Sequence, residues 1–200
     1  RRFPDEIRAE LAIIRSLVGD KPFGVDLVLP PGMPQHNSRE AIEAEISEEH
    51  KSFVSGLIEK YQVPPASGPG MRTRFIRSSE IEEAQIQAVL ESSVNMFACG
   101  IGAPPEVLKQ AKARGKTTLA LIGSPHHVQR AVAAGTDMLV AQGYDAGAHT
   151  GPIGTYSLVP QIVDAAGDIP VLVAGGVATG RHVAAGLAMG AAGVWVGTAW

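Results

Sequence analysis

The chain has 200 residues, a 45% hydrophobic content and a formal net charge of −3, values typical of a globular domain with a substantial core. The weak charge and the 5% aromatic content argue against a nucleic-acid-binding or anionic-membrane-binding surface. Cys99 is the single cysteine, so no intrachain disulfide can form. Since the sequence shows neither a membrane-spanning apolar run nor a secretory signal, we expect a cytoplasmic protein.

The first elements along the chain are a helix and a strand. Pro4 suits the first position of a helix, and Asp5 complements the helix dipole. Apolar residues then recur at helical spacing from Ile7 to Val18. Residues 23–29 (FGVDLVL) predict the strand that follows.

Residues 31–93 differ in character from the rest of the chain. They contain a charged amphipathic helix over 38–61, expected to break once, and another helix that ends near Leu90. Ser79 with Glu82 predicts a capping box at the start of that second helix. We expect this segment to be an insertion that either covers the mouth of the site as a lid or builds a homodimer interface.

From Val94 onward, strand and helix patterns alternate to the end of the sequence. Such alternation predicts parallel strands joined by right-handed crossovers. With the earlier strand there are about six βα units, whereas a closed barrel has eight. We therefore predict an α/β fold, a (β/α)8 TIM barrel incomplete in this chain, whose barrel domain comprises residues 1–30 and 94–200. The missing units are expected before Arg1.

In such a barrel the functional site lies at the carboxyl ends of the strands. The residues predicted near that mouth are Asp26, Cys99, Ser124, Gln142, Gly175, Gly176, Gly197 and Thr198. Gly175 and Gly176 end one strand just before a helix, where backbone N–H groups suit an anion, and Gly197-Thr198 ends the next strand. These turns predict a phosphate site; the alternative is that the glycines serve only as tight turns.

A glycine-containing loop, AQGYDAGAHTG over residues 141–151, follows another strand. Its histidine, His149, is a candidate base because imidazole exchanges protons near neutral pH. The alternative is an ordinary solvated loop histidine. Asp145 could orient His149 or could simply serve a helix, and Cys99 fits a small buried hydrophobe better than a nucleophile.

Three other motifs carry less weight. GKT at 115–117 lacks the earlier glycine of a P-loop, because position 110 is glutamine. CGIGAP at 99–104 has only two glycines of a dinucleotide fingerprint. The adjacent His126 and His127 would point to different sides of a helix, so we expect no metal site.

Residues 141–151 resemble the pattern Ala-Gln-Gly-x-Glu-Ala-Gly-Gly-His-x-Gly of the nitronate monooxygenases, formerly called 2-nitropropane dioxygenases. Residues 174–180 with Gly197-Thr198 resemble the family's later Ala-Gly-Gly-Ile-x-x-Gly and Gly-Thr patterns, and residues 21–30 resemble its third strand. The resemblance implies an FMN-dependent TIM barrel. Asp145 and Ala148 depart from the pattern, replacing a glutamate and a glycine.

The same resemblance implies a role for each matching residue. The residues implied to bind FMN are Asp26, Gln142, Gly147, Gly175, Gly176, Trp195, Val196, Gly197 and Thr198. Gln142 and Gly147 would contact the isoalloxazine or ribityl part, and residues 175–176 and 195–198 the phosphate. His149 would be the catalytic base or would orient the substrate. Asp26 replaces a family asparagine and adds charge near a ring that becomes anionic on reduction.

The function that follows is an FMN-dependent oxidoreductase that oxidises nitroalkanes or nitronates with molecular oxygen. An NAD(P)H-dependent FMN quinone or enoyl-thioester reductase is the alternative within the flavin barrels. A protein of another class, either a non-catalytic phosphate-ligand binder or a degenerate barrel, is the second alternative.

Overall fold

A computed structural model of the chain describes residues 2–68, 76–197 and 199. Within these residues, six strands form one parallel sheet in which each strand pairs with the next along the chain. The strands are β1 (Gly24–Val28), β2 (Met96–Gly100), β3 (Thr117–Ile122), β4 (Met138–Gln142), β5 (Val171–Ala174) and β6 (Gly193–Trp195). This sequential parallel order is that of a TIM barrel, which confirms the predicted fold class with six strands present.

Eight α-helices accompany the strands in the described part of the chain. They are α1 (Pro4–Val18), α2 (Arg39–Glu45), α3 (Glu48–Lys60), α4 (Ser79–Leu90), α5 (Pro105–Ala113), α6 (Val128–Ala133), α7 (Thr155–Ala166) and α8 (Gly180–Ala188). A short 3₁₀ turn, Pro125–His127, precedes α6. None of the helices in the described ranges combines the length and apolar character that crossing a bilayer requires.

Strands β2 to β5 bury residues on both of their faces, as their nearly continuous apolar character predicts. In β4, Leu139 and Ala141 pack outward against the helices, whereas Val140 packs inside the barrel. The inner cluster also contains Ala98, Leu119 and Ala174, with Trp195 packed against it. Because side chains alternate across a strand, this pattern fixes which residues face the lumen.

The segment predicted as an insertion, residues 31–93, divides into two parts. Helices α2 and α3 bury no residue, and their chain breaks once between them, as predicted. Helix α4 instead buries Ile86, Val89 and Leu90 in the core beside α1. Only α2 and α3 therefore stand apart from the barrel layer, and their role as a lid or homodimer arm stays a prediction.

The cap of α4 lies one residue earlier than the sequence pattern predicted. Ser78, not Ser79, has extended backbone, and its hydroxyl accepts the N–H of Ile81. The N–H of Ser79 donates to the carbonyl of Pro34, which fixes this register. The prediction of a Ser79–Glu82 capping box was therefore wrong.

Candidate functional site

A cavity of about 1380 Å³ opens at the carboxyl ends of the strands. Nine of the predicted site residues line it: Asp26, Ser124, Gln142, Gly147, His149, Gly175, Gly176, Trp195 and Gly197. The structure thus brings the histidine loop and the two glycine turns to one space. This is the juxtaposition that a barrel mouth predicts from residues distant in sequence.

Three residues expected at the mouth lie elsewhere or outside the described residues. Val196 packs against the outer core cluster, on the helix side of the sheet, because it follows Trp195 across the strand. Thr198 lies outside the described residues. Cys99 was expected near the mouth, but its side chain is fully buried on the outer face of β2, so that expectation was wrong.

Cys99 has the surroundings of a structural cysteine. Its Sγ donates to the carbonyl oxygen of Leu119 at 3.5 Å. Burial, assisted by the charge of Asp26, raises the pKa of the Cys99 thiol to about 12. A thiol held in its neutral form is a poor nucleophile, so Cys99 serves packing.

The loop that carries His149 is closed at its base. The N–H of Tyr144 donates to the carbonyl of Ile153 at 3.0 Å, and the N–H of Ala146 donates to the carbonyl of Gly143 at 3.1 Å. Joining the two ends in this way restricts the segment between them. His149 is exposed and lines the cavity from within that closed loop.

Glycines hold the loop against its two neighbours. A Cβ on Gly123, at the end of β3, would lie 2.7 Å from the backbone nitrogen of Gly151. On the other side, a Cβ on Gly143 would collide with Thr155 at the start of α7. The glycines therefore permit direct backbone contact, which places His149 relative to β3 and α7.

Asp145 connects the loop to α7. Its Oδ2 accepts the backbone N–H of Thr155 at 2.9 Å. This hydrogen bond holds the pKa of the Asp145 carboxyl below its ordinary value, and the helix dipole favours a negative charge at that end. The sequence left two roles open for Asp145, and this contact supports the one in which its carboxylate interacts with the start of a helix.

Thr155 extends the connection to the second glycine turn. Its hydroxyl donates to the carbonyl oxygen of Gly175 at 3.2 Å. A Cβ on Gly175 would lie 2.6 Å from that hydroxyl, so only glycine allows the approach. No sequence pattern indicated Thr155, because its hydrogen-bond partners lie 10 and 20 positions away in the sequence.

The turn after β5 has backbone that favours glycine. Gly175 and Gly176 have φ angles of +109° and +69°, a region that other residues rarely adopt. Further along, the N–H groups of Ala178 and Thr179 both donate to Nδ1 of His182, at 3.1 and 3.2 Å. Ala178 lines the cavity together with Gly175 and Gly176, but its amide is already occupied by that imidazole.

Asp26 faces the lumen from β1, where it pairs in register with Ala98 of β2. Its side chain borders the cavity and remains accessible to solvent. The surrounding walls nevertheless remove enough water to raise the pKa of its carboxyl from 3.8 to about 6. The site therefore contains a carboxyl that changes charge close to neutral pH.

Several lining residues had no functional role in the sequence analysis, among them Ile101, His127 and Arg130. Ile101 has a φ of +62°, which is rare for a β-branched residue. The motif CGIGAP was discounted as a dinucleotide fingerprint, and its glycines instead let the chain turn beside the cavity. His127 and Arg130 carry no local signal that distinguishes them from surface residues.

Comparison with known structures defines the class of protein. A nitroalkane oxidase from Streptomyces ansochromogenes matches with a TM-score of 0.74 and 27% identity, covering 98% of this chain and 55% of that one. The parallel barrel and its mouth cavity thus place the chain among the TIM-barrel oxidoreductases. The model of the nitronate monooxygenase family matches residues 2–200, and the chain belongs to that family.

Two further relatives differ in what their names state. A probable nitronate monooxygenase of Staphylococcus aureus is 39% identical over 98% of this chain and 54% of its own length. A 5-hydroxy-7a-methyl-1-oxo-octahydro-1H-indene-4-carboxyl-CoA dehydrogenase of Rhodococcus jostii is 39% identical over 57% of the chain and 32% of its own length. The chain spans about half the length of the staphylococcal relative.

Proposed function

We propose that this chain carries the site of an FMN-dependent oxidoreductase that oxidises nitroalkanes or their nitronates with molecular oxygen. One observation carries the proposal: His149 lines the same cavity as the glycine turns at Gly175-Gly176 and Gly197. Membership of the nitronate monooxygenase family supports the reaction class. The structural likeness to a nitroalkane oxidase supports the substrate class.

The residues present fit a mononucleotide cofactor. The cavity exceeds the roughly 300–1,000 Å³ of a typical small-molecule site, so a cofactor and a substrate can share it. A Cβ on Gly197 would enter open space, and the missing side chain leaves that space to a ligand. Gly175 and Gly176 would bind the phosphate through backbone N–H groups, as neutral donors do in anion-binding turns.

The remaining contacts to FMN follow the assignment made from the sequence. Gln142 ends β4 on the lumen side, and with Gly147 it would contact the ring or ribityl part. Trp195 would bound the phosphate pocket, which Val196 and Thr198 would complete. Asp26 would lie close to the ring. Bound FMN supplies the electron transfer between substrate and oxygen.

His149 would take the α-proton of a neutral nitroalkane. Removing that proton yields the nitronate anion, and the imidazolium formed on His149 would then stabilise it by charge and hydrogen bonding. A substrate added as the nitronate needs no proton removal, so His149 would only orient it. The two substrate forms therefore separate the two roles of the side chain.

Replacing His149 by asparagine tests the proposal. His149→Asn should retain the visible absorption of bound flavin, while turnover of neutral nitroethane falls at least about a hundredfold, the usual contribution of a general base. Turnover of the preformed nitronate should fall less. His126→Asn is the matched control, because His126 is exposed but does not line the cavity. Unchanged nitroethane turnover in His149→Asn would remove His149 from this role.

A second candidate function is an NAD(P)H-dependent reductase or dehydrogenase of acyl thioesters. This candidate is favoured by the similarity to a carboxyl-CoA dehydrogenase, which extends over 57% of the chain. Anaerobic bleaching of the flavin absorption by NAD(P)H would support this candidate, whereas bleaching by a nitronate would support the first. If the protein gains no flavin absorption even after incubation with FMN, a non-catalytic barrel that binds another phosphate ligand would replace both.

A further inference from the structure

One side of the cavity is not used by the residues proposed to hold FMN. It lies at the ends of β2 and β3 and the start of α6. Its lining residues include Ile101, Ala103, Ser124, His127, Arg130 and Ala131. The FMN-binding residues, apart from Asp26, lie at the ends of β4, β5 and β6. A ligand on the β2–β3 side would therefore reach the His149 loop through one continuous space.

Arg130 is the fixed positive charge of this region. It is exposed on α6, and it makes no ion pair or side-chain hydrogen bond with any residue that the structure describes. Two other exposed arginines, by contrast, are paired: Arg2 with Glu10, and Arg8 with Asp5. Arg130 thus presents an uncompensated guanidinium to the cavity.

His127 and Ser124 add hydrogen-bonding groups beside it. His127 lies three residues before Arg130 at the start of α6, a spacing that puts both side chains on one face. The Ser124 hydroxyl oxygen accepts the N–H of His126 at 3.4 Å, which leaves its own proton free to donate. A guanidinium, an imidazole and a hydroxyl together match the several oxygens of a phosphate.

Ile101 gives the same region an apolar contact. The residue is 51% exposed and lines the cavity from a left-handed backbone position. A glycine would hold that conformation at lower cost, so the conformation is maintained by its surroundings. At Gly102 a Cβ would collide with the carbonyl oxygen of Leu29, and this close backbone contact fixes the turn.

We infer that this side of the cavity binds the phosphate-bearing end of a second substrate, with Arg130, His127 and Ser124 contacting the phosphate and Ile101 contacting an adjacent apolar part. The inference rests on the proposed function only in taking the reacting centre to lie at His149. Two kinds of molecule share the required chemistry, a phosphorylated adenine nucleotide: acyl-coenzyme A thioesters and NADPH.

Binding to the full-length flavoprotein tests the inference. Butyryl-coenzyme A and NADPH are titrated separately by calorimetry into the unmodified protein, Arg130→Glu and His127→Asn. Arg114→Glu is the matched control, because Arg114 is an exposed arginine at the end of α5, outside the cavity lining. Arg130→Glu should weaken binding about tenfold to a hundredfold, the range for a charge-assisted hydrogen bond, and His127→Asn less. Arg114→Glu should weaken it no more than about twofold.

The two titrations separate the sources of the phosphate. Dependence on Arg130 in the coenzyme A titration alone identifies a thioester, and dependence in the NADPH titration alone identifies a nucleotide reductant; dependence in both supports the shared site. If neither molecule binds, or if Arg130→Glu and Arg114→Glu have equal effects, the inference is overturned. Flavin absorption and nitronate oxidation by the unmodified protein are measured separately. Their absence would refute the proposed function and leave the Arg130 result standing.

Discussion

Gly151, two residues after His149, lies in backbone contact with Gly123 at the end of β3. A Cβ on Gly151 would collide with the carbonyl oxygen of Gly123, and a Cβ on Gly123 would lie 2.7 Å from the nitrogen of Gly151. The position of the candidate base therefore depends on two glycines in different βα units. The two glycines allow the backbones to pack closely, and this packing places His149 at the cavity.

Gly151→Ala should disturb both stability and turnover. The added methyl group has no room, and overpacking of this kind costs about 1–3 kcal/mol. Relief of the collision would move the loop and with it His149, so turnover of a neutral nitroalkane should also fall. Thermal unfolding and oxygen consumption measure the two effects. Gly56→Ala in α3 adds the same methyl group in open space, so it should leave turnover unchanged and keep or raise stability, as alanine does inside a helix. Equal behaviour of the two variants would contradict the packing argument.

Asp145→Ala should lower the melting temperature at pH 7, because the start of α7 loses the carboxylate that accepts the Thr155 N–H. The pKa of Asp145 is lowered in the folded state, so its contribution is present above the ordinary value of 3.8 and is lost as the pH falls through the lower folded pKa. The difference in melting temperature from the unmodified protein should therefore shrink below about pH 4. Asp164→Ala, later on α7, is the control, and a difference that stays constant with pH would refute the role of charge.

The barrel could be predicted from the sequence because apolar strand patterns and helical patterns alternate regularly from Val94. Because the strands are apolar on both faces, the sequence pattern does not indicate which face of a strand points into the lumen. Cys99 was therefore placed at the mouth, although it points outward. Its neighbour Ala98 faces the lumen, and only the register of the strands distinguishes the two.

The residues that line the cavity were predictable where lining follows from a position at a strand end, as for Gln142 and Gly176. It was not predictable where contacts join residues far apart in sequence. Asp145 and Thr155 illustrate this, since neither residue type indicates the partner. Ile101 was still harder to predict. A β-branched side chain disfavours the left-handed backbone conformation that Ile101 adopts, so local preference predicts a different conformation.

Asp26→Asn should have the opposite pH trend to Asp145→Ala. The folded pKa of Asp26, about 6, lies above its ordinary value of 3.8, so deprotonation penalises the folded protein as the pH rises between these values. The asparagine variant should therefore be more stable than the unmodified protein at pH 8, with the advantage nearly absent at pH 4. Melting temperatures across this range measure the trend. An advantage equally large at both pH values would show that ionisation of Asp26 is not its cause.

Ile101→Gly should be more stable than Ile101→Ala, because only glycine adopts the left-handed backbone conformation at this position without strain. A left-handed conformation costs an L-residue about 1–2 kcal/mol, and the extra flexibility of glycine in the unfolded chain offsets about 0.5–1 kcal/mol of that relief. Ile101 as a whole is 51% exposed, so both variants lose the partial burial of its side chain, and the glycine variant should exceed the alanine variant by up to about 1 kcal/mol. Ile101→Ala is the matched variant, because it shortens the side chain and keeps the backbone cost. Chemical denaturation should rank the glycine variant above the alanine variant by about 1 kcal/mol. If the alanine variant proves equally stable or more stable, the backbone at position 101 is not strained, and the conformation of Ile101 costs no stability.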